Sequence, residues 1–242
     1  MSDPIVITGF ALTPMGGFQG AFSSVSATDL GAEAVQAAVD RSGADPNAIH
    51  RIYMGCVLPA GLGQAPARQA ALVARLGCSV EPTTVNKMCG SGMQAVIMAA
   101  EALEAGAAGV IVGFFAEETA PIAVKTRAGE TVVSEDEQPG QAKSDKMLAK
   151  AGWSIEAVDL FEVNEAFAVI PMVVMRDLAV PETRMNVCGE ATALGHPRGA
   201  SGARILATLI AALKRLGLSR GVAALCISGG EAAAIAIEVD PA

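Results

Sequence analysis

Thr83-Thr84-Val85-Asn86-Lys87-Met88-Cys89-Gly90-Ser91-Gly92-Met93 is the stretch that decides how this chain folds. Its β-branched run, Thr83 to Val85, predicts a strand. Gln94 to Leu103, rich in Ala, Met, Val and Leu and free of Gly and Pro, predicts a helix. Cys89 therefore falls at a strand-to-helix elbow. Unpaired N–H groups and the helix dipole favour negative charge there, and so favour the thiolate over the thiol. Gly90 and Gly92 carry no side chains, so a substrate can approach the backbone closely. A lone cysteine under a helix is also often an inert packed residue. A reactive Cys89 needs a base, an orienting group and a substrate from the rest of the chain.

On either side of the elbow, strand and helix signals alternate. Ile5 to Gly9 reads as a buried first strand, and Ser26-Ala27-Thr28-Asp29 supplies an N-cap before a helix over Leu30 to Val39. Arg51 to Val57 reads as a strand, Ala67 to Leu76 as a helix, Pro82 to Asn86 as a strand, Cys89 to Glu104 as a helix, and Gly109 to Gly113 as a strand. Such alternation predicts an α/β fold with a mostly parallel sheet. The pattern breaks from Phe114, where residues 122–133 read as a hairpin about Ala128-Gly129 and residues 134–140 are acidic. It resumes with a short helix end over Lys146 to Gly152 and a strand over Val158 to Val163. A helix over Glu165 to Leu178 is expected to be kinked or interrupted at Pro171. A strand over Met185 to Gly189, a helix over Gly199 to Leu216, and closing strands over Gly221 to Ser228 and Ala232 to Val239 complete the chain. Three regions follow: residues 1–113, an inserted 114–143, and 144–242.

The segment from Cys89 to Leu103 also lines up with Gly199 to Leu213. Both carry Ser-Gly near the helix start, and a Gly-started apolar strand follows each, at Gly109 and Gly221. Two similar halves can pack these helices together and build one site at the junction. Composition alone can also make Ala-rich helices look alike.

The 242 residues carry a formal net charge of −8, which argues against nucleic acid as the main partner. Five scattered cysteines and two histidines show no metal-ligand spacing. Free thiols in the cytoplasm are expected rather than a disulfide framework. Every apolar stretch is broken too early by Gly, Pro or charge to span a bilayer.

Three stretches of the second half put polar or reactive residues at strand ends and in loops, where open α/β sheets form their sites. They are Asn164-Glu165-Ala166-Phe167, Gly195-His196-Pro197 and Cys226-Ile227-Ser228-Gly229-Gly230. Together with Cys89 they supply a thiol nucleophile, an imidazole base, a second cysteine able to move a proton, and an amide. Taken singly, His196 can be a turn histidine, Cys226 a core residue, and Asn164 a cap for a helix starting at Glu165.

These motifs resemble those of the thiolase family, acetyl-CoA C-acetyltransferases. Val85 to Gly92 resembles the nucleophile segment, and the other three stretches resemble the Asn-Glu-Ala-Phe, Gly-His-Pro and Cys-x-Gly-Gly-Gly motifs. The resemblance implies a thiolase-like fold of two βαβαβαββ halves, with helices packed between mixed sheets and an incomplete junction. It also implies acyl transfer through an acyl-cysteine, giving Claisen condensation of acetyl-CoA or, in reverse, thiolysis of 3-ketoacyl-CoA in fatty acid metabolism.

In that resemblance Cys89 is the nucleophile, His196 helps deprotonate it, and Cys226 abstracts the α-proton of acetyl-CoA. Asn164, through a water, and His196 form one oxyanion site; the backbone N–H groups of Cys89 and Ser228 form the other. Met88, Phe167 and Gly229 are expected at the substrate. No permanently bound cofactor is expected. Acetyl-CoA and acyl-CoA are the expected partners, with a homodimer or higher homo-oligomer. Relative to the family the chain is shortened after Gly113 and after Gly140. Ser228 and Glu190 stand where Gly is usual, and Arg198 where an apolar residue is common. The alternative is a catalytically impaired remnant serving as a scaffold or dimerising module.

Overall fold

A computed structural model describes residues 4–15, 22–115, 148, 151–228 and 231–240. The first sheet is built from β1 (Arg51–Gly55), β2 (Glu81–Val85) and β3 (Ile111–Phe115), in the order β2-β1-β3 and all parallel. The second is mixed. β4 (Leu160–Val163) runs parallel to β5 (Arg220–Ile227), and β6 (Glu231–Glu238) runs antiparallel to it.

Five layers result, because strand side chains alternate between faces. Ile52 and Met54 of β1 point into a core shared with α1 (Ala27–Ser42) and α2 (Pro66–Val73), whereas Tyr53 points toward α3 (Ser91–Glu104). In the second sheet, Ala223 and Leu225 face α6 (Arg198–Leu216). Phe161, Val163 and Val222 face the opposite side with Val174 of α4 (Val169–Leu178), and a single turn, α5 (Ala191–Leu194), precedes α6. Helices α3 and α6 pack against each other between the two sheets. Among the described residues, no helix is long and apolar enough to cross a membrane.

The two repeated Ser-Gly segments form this central contact, as the sequence predicts. A Cβ on Gly202 of α6 would sit 2.6 Å from the backbone nitrogen of Met93 in α3. One on Gly92 of α3 would sit 3.0 Å from the carbonyl oxygen of Gly199. Only hydrogen side chains let the helix starts approach this closely.

Three sequence expectations are corrected. Residues 5–9 form no strand, and Ile5, Val6 and Ile7 are exposed. Strand β1 pairs directly with β2 and β3, and residues 5–9 join neither outer edge of that sheet. The segment instead crosses the end of α1, where Arg41 Nη1 donates to the Phe10 carbonyl at 2.9 Å.

The strand expected over Met185 to Gly189 is reduced to one bridge, between Met185 and Phe161. The backbone turns at once, with positive φ at Asn186 and Gly189. The Asn186 side chain takes over the pairing. Its Oδ1 accepts from Val163 N at 2.7 Å, and its Nδ2 donates to Val163 O at 2.9 Å.

The helix expected from Glu165 begins only at Val169. Pro171 then lies in its first turn, where a missing N–H removes no helical bond and no kink is needed. The hairpin expected over 122–133 and most of the helix end expected over 146–152 lie outside the described residues.

Gly202→Ala is expected to destabilise the protein by about 1–3 kcal/mol, as overpacking against a backbone atom does. Gly77→Ala, whose Cβ would meet nothing closer than Ser79 Oγ at 3.5 Å, is expected to stay within about 0.5 kcal/mol of wild type. Urea denaturation of both variants checks the pair. Equal stability would rule out the close helix contact.

Candidate active site

Cys89 lies one residue before the N-cap of α3, and it is buried. The elbow bends through Met88, whose φ is +47°. Side chains hold this bend. Ser91 Oγ donates to Met88 O at 2.6 Å and accepts from Lys87 N at 2.9 Å. Asn86 Nδ2 donates to Val57 O at 3.1 Å, tying the elbow to the end of β1. Lys87 Nζ reaches Glu231 of β6 at 2.7 Å, across to the other sheet.

His196 occupies the loop before α6. Ser201 Oγ donates to Pro197 O at 2.9 Å, so toward His196 Nδ1, 2.7 Å away, it acts as acceptor. This network assigns the proton to Nδ1 and leaves Nε2 with a free lone pair. Nε2 is buried without a partner among the described residues, so no hydrogen bond joins it to Cys89. Burial, and then the charge of Arg198, lowers the pKa of His196. The imidazole is therefore held neutral and able to accept a proton.

Ser91 and Ser201 occupy equivalent places in the repeat, and each fixes the loop that precedes its own helix. They were not singled out as site residues in the sequence, although the repeated Ser-Gly was the signal that carries them.

Asn164 follows β4 and is fully buried. With α4 starting at Val169, Asn164 caps no helix at Glu165. Its Nδ2 lies 3.0 and 3.1 Å from the two carboxylate oxygens of Glu190 and 3.4 Å from His196 Nδ1. Asn164 and His196 are thus brought together directly. Cys226, near the end of β5, donates from Sγ to Ala166 O at 3.3 Å.

The two cysteines approach through their neighbours. A Cβ on Gly90 would come within 2.5 Å of Ile227 Cδ1, so the residue after Cys89 rests on the residue after Cys226. Gly92 and Gly199 similarly bring the helix starts beside Cys89 and His196 together. Of the remaining expected positions, Met88 is partly exposed and Phe167 is 70% exposed. Ser228 is exposed and takes no positive φ; Gly229 lies outside the described residues.

Behind Asn164 is a buried charge cluster that motif reading does not find. Glu190 accepts from the backbone N–H groups of Glu165 and Ala191 and pairs with Arg204 of α6. Glu162, on the same face of β4, is also buried, and its Oε1 has no partner among the described residues. Burial pushes the Glu162 carboxyl up to about 8, against the pull of Arg204 and with the push of Glu165. Burial also lowers the pKa of Arg204, with Glu162 and Glu165 opposing. A guanidinium is basic enough to stay charged regardless.

Residues 5–114 match the family described as thiolase, N-terminal domain, and residues 120–239 match thiolase, C-terminal domain. The chain is 29% identical over 391 aligned positions to an acetyl-CoA acetyltransferase of Rhizobium meliloti (strain 1021), covering 98% of this chain and 100% of that one. It is 26% identical to the cytosolic acetyl-CoA acetyltransferase of Mus musculus, covering 98% of each. These alignments run over more positions than the 242 residues present, so they cross stretches of the relatives with no counterpart here. Among solved structures, Acat5 thiolase from Ascaris suum in complex with coenzyme A superposes with a TM-score of 0.82 at 25% identity, covering 96% of this chain and 98% of that one. Bacillus anthracis acetyl-CoA acetyltransferase superposes at 0.83 with 23% identity and the same coverage.

Glu162 makes stability depend on pH. The unfolded chain releases this proton in the ordinary glutamate range, whereas the folded protein keeps it until about pH 8. The folded state binds more protons across that window, so stability falls as pH rises, by up to about 1.4 kcal/mol per pH unit, and levels off above it. Glu162→Gln is expected to flatten the decline. Chemical denaturation from pH 5 to 9 measures it, and an unchanged slope in the variant would count against a protonated Glu162.

Proposed function

The chain belongs to the thiolase family, and from that premise we propose that it exchanges acyl groups between coenzyme A thioesters through Cys89. The observation that carries this reading is the shared elbow. The loop bearing Cys89 rests on the end of the strand bearing Cys226, and α3 and α6 meet where His196 enters.

Cys89 Sγ attacks the thioester carbonyl of an acyl-CoA. His196 Nε2 takes the thiol proton and returns it to the departing CoA sulfur, leaving an acyl-Cys89 thioester. Cys226, once its thiol proton has passed to solvent, removes an α-proton from a second acetyl-CoA and becomes a thiol again. The carbanion attacks the acyl carbonyl, and Cys89 leaves as thiolate and regains a proton from solvent. The product is a 3-ketoacyl-CoA, and thiolysis is the same sequence reversed. Asn164, through a water, and His196 stabilise one oxyanion; the backbone N–H groups of Cys89 and Ser228 stabilise the other. Met88, Phe167 and Gly229 line the substrate path. The exposed side chain of Phe167 and the partly exposed one of Met88 support this.

The fold divides into a nucleophile half (residues 1–113), a connecting segment (114–143) and a second half (144–242). The protein works as a homo-oligomer. The support is that β3 and β4, which flank the connecting segment, each pair on one side only among the described residues. Acetyl-CoA and other short acyl-CoA are the substrates, in fatty acid metabolism in the cytoplasm. The acetyl-CoA acetyltransferase relatives, one of them cytosolic, support this assignment. No observation favours the scaffold alternative.

Intact-protein mass spectrometry after exposure to acetyl-CoA is expected to show one acetyl group on wild type and none on Cys89→Ala. Cys226→Ala is expected to keep the acetyl group but form no acetoacetyl-CoA. An acetyl group persisting in Cys89→Ala would reject this nucleophile. The rate of acetylation is expected to rise with pH along a limb centred below 6.5, following the lowered His196. Rapid-quench measurements from pH 5 to 8 test that, and a limb above 6.5 would remove His196 as the base.

A further inference from the structure

Acyl transfer as written leaves Glu190 and Arg204 without a task, yet both are buried beside Asn164. A carboxylate can only accept hydrogen bonds, and an amide donates only from its nitrogen. Glu190 holds both oxygens within 3.1 Å of Asn164 Nδ2, so the amide must turn its nitrogen to Glu190 and its oxygen away. Oδ1 is buried and has no partner among the described residues. The carboxylate cannot rotate to release the amide. Backbone N–H groups of Glu165 and Ala191 donate to it, and Arg204 pairs with its other oxygen.

We propose that Glu190 is a positioning residue of the acyl-transfer site, a buried anion that fixes the Asn164 amide with Nδ2 turned to Glu190 and Oδ1 turned away. The proposal rests on the acyl-transfer reading above. Its consequence is a defined polarity. A water held by Asn164 donates one hydrogen to Oδ1, and its second hydrogen is left for the developing thioester oxyanion. Without Glu190 the amide can present either end, and part of the population holds that water the wrong way round. Arg204 acts one step further back, by keeping Glu190 ionised and in place.

The test is a double-mutant cycle on condensation, with kcat and KM measured for wild type, Glu190→Asp, Asn164→Ala and the double variant. Glu190→Asp keeps the charge beside Arg204 but withdraws it from Asn164. It is expected to lower kcat roughly tenfold or more with KM little changed, and to cause no further loss in the Asn164→Ala background. Wild-type kcat in Glu190→Asp, or a loss equally large in both backgrounds, overturns the proposal.

NMR of the side-chain amides supplies a readout that needs no turnover. In wild type the Asn164 Nδ2 hydrogens, assigned by their loss in Asn164→Ala or by selective asparagine labelling, are expected to be protected from solvent exchange. Exchange at the rate of a free amide overturns the clamp. A wild-type protein that never acetylates Cys89 overturns the acyl-transfer reading and the positioning role with it, while the amide signals still report whether Asn164 is held.

Discussion

The structure depends on one steric constraint: two helix starts pressed together with hydrogen atoms where side chains would be. Gly92 lies against Gly199 and Ala203, and Gly202 lies against the backbone of Met93. At that distance α3 and α6 cannot slide or rotate independently, because packed interiors transmit displacement rather than absorb it. Each helix lies on its own sheet. The contact therefore fixes the two sheets relative to one another and brings the loop ahead of each helix to the same place. The site is a by-product of this packing. Its Cys89 loop precedes α3, its His196 loop precedes α6, and Cys226 lies where β5 meets the elbow.

Around that contact, polar side chains do what backbone pairing does elsewhere. Ser91 and Ser201 hold the loops ahead of α3 and α6, Asn186 substitutes for a strand beside β4, and Glu190 gathers donors from three directions. Bonds of this kind are individually modest, but leaving a buried partner unsatisfied is expensive. The loops are thus held in one conformation without belonging to helix or sheet. This suits an enzyme of the thiolase family, whose chemistry needs several groups fixed within a fraction of an ångström.

Much of this was legible in the sequence, and the failures have physical causes. Periodicity located α1, α2, α3, α6 and the strands β1, β2, β4, β5 and β6, because each buries one regular face. The Ser-Gly repeat announced the α3–α6 contact. Residues 5–9 misled because an apolar run reports burial preference but not a partner strand, and here the segment passes across the end of α1 instead. Residues 185–189 misled because Asn186 pairs through its side chain, which no strand pattern encodes. The charge cluster of Glu162, Glu190 and Arg204 was hidden for a related reason. Three charged residues on one strand, one loop and one helix look solvated until the fold stacks those elements.

The rest of Gly90 against Ile227 bears on the order in which the protein comes into being. Cys89 belongs to the part of the chain synthesised first, and His196 and Cys226 follow much later. Until β5 is in place, the elbow is held only by its own half, and Cys89 has neither His196 nor Cys226 near it. Chains fold from the N-terminus as they are made, so the Cys89 loop waits for the second half before its surroundings are complete. The last strands to dock therefore complete the surroundings of Cys89, and a partly made chain lacks the arrangement that the finished one holds.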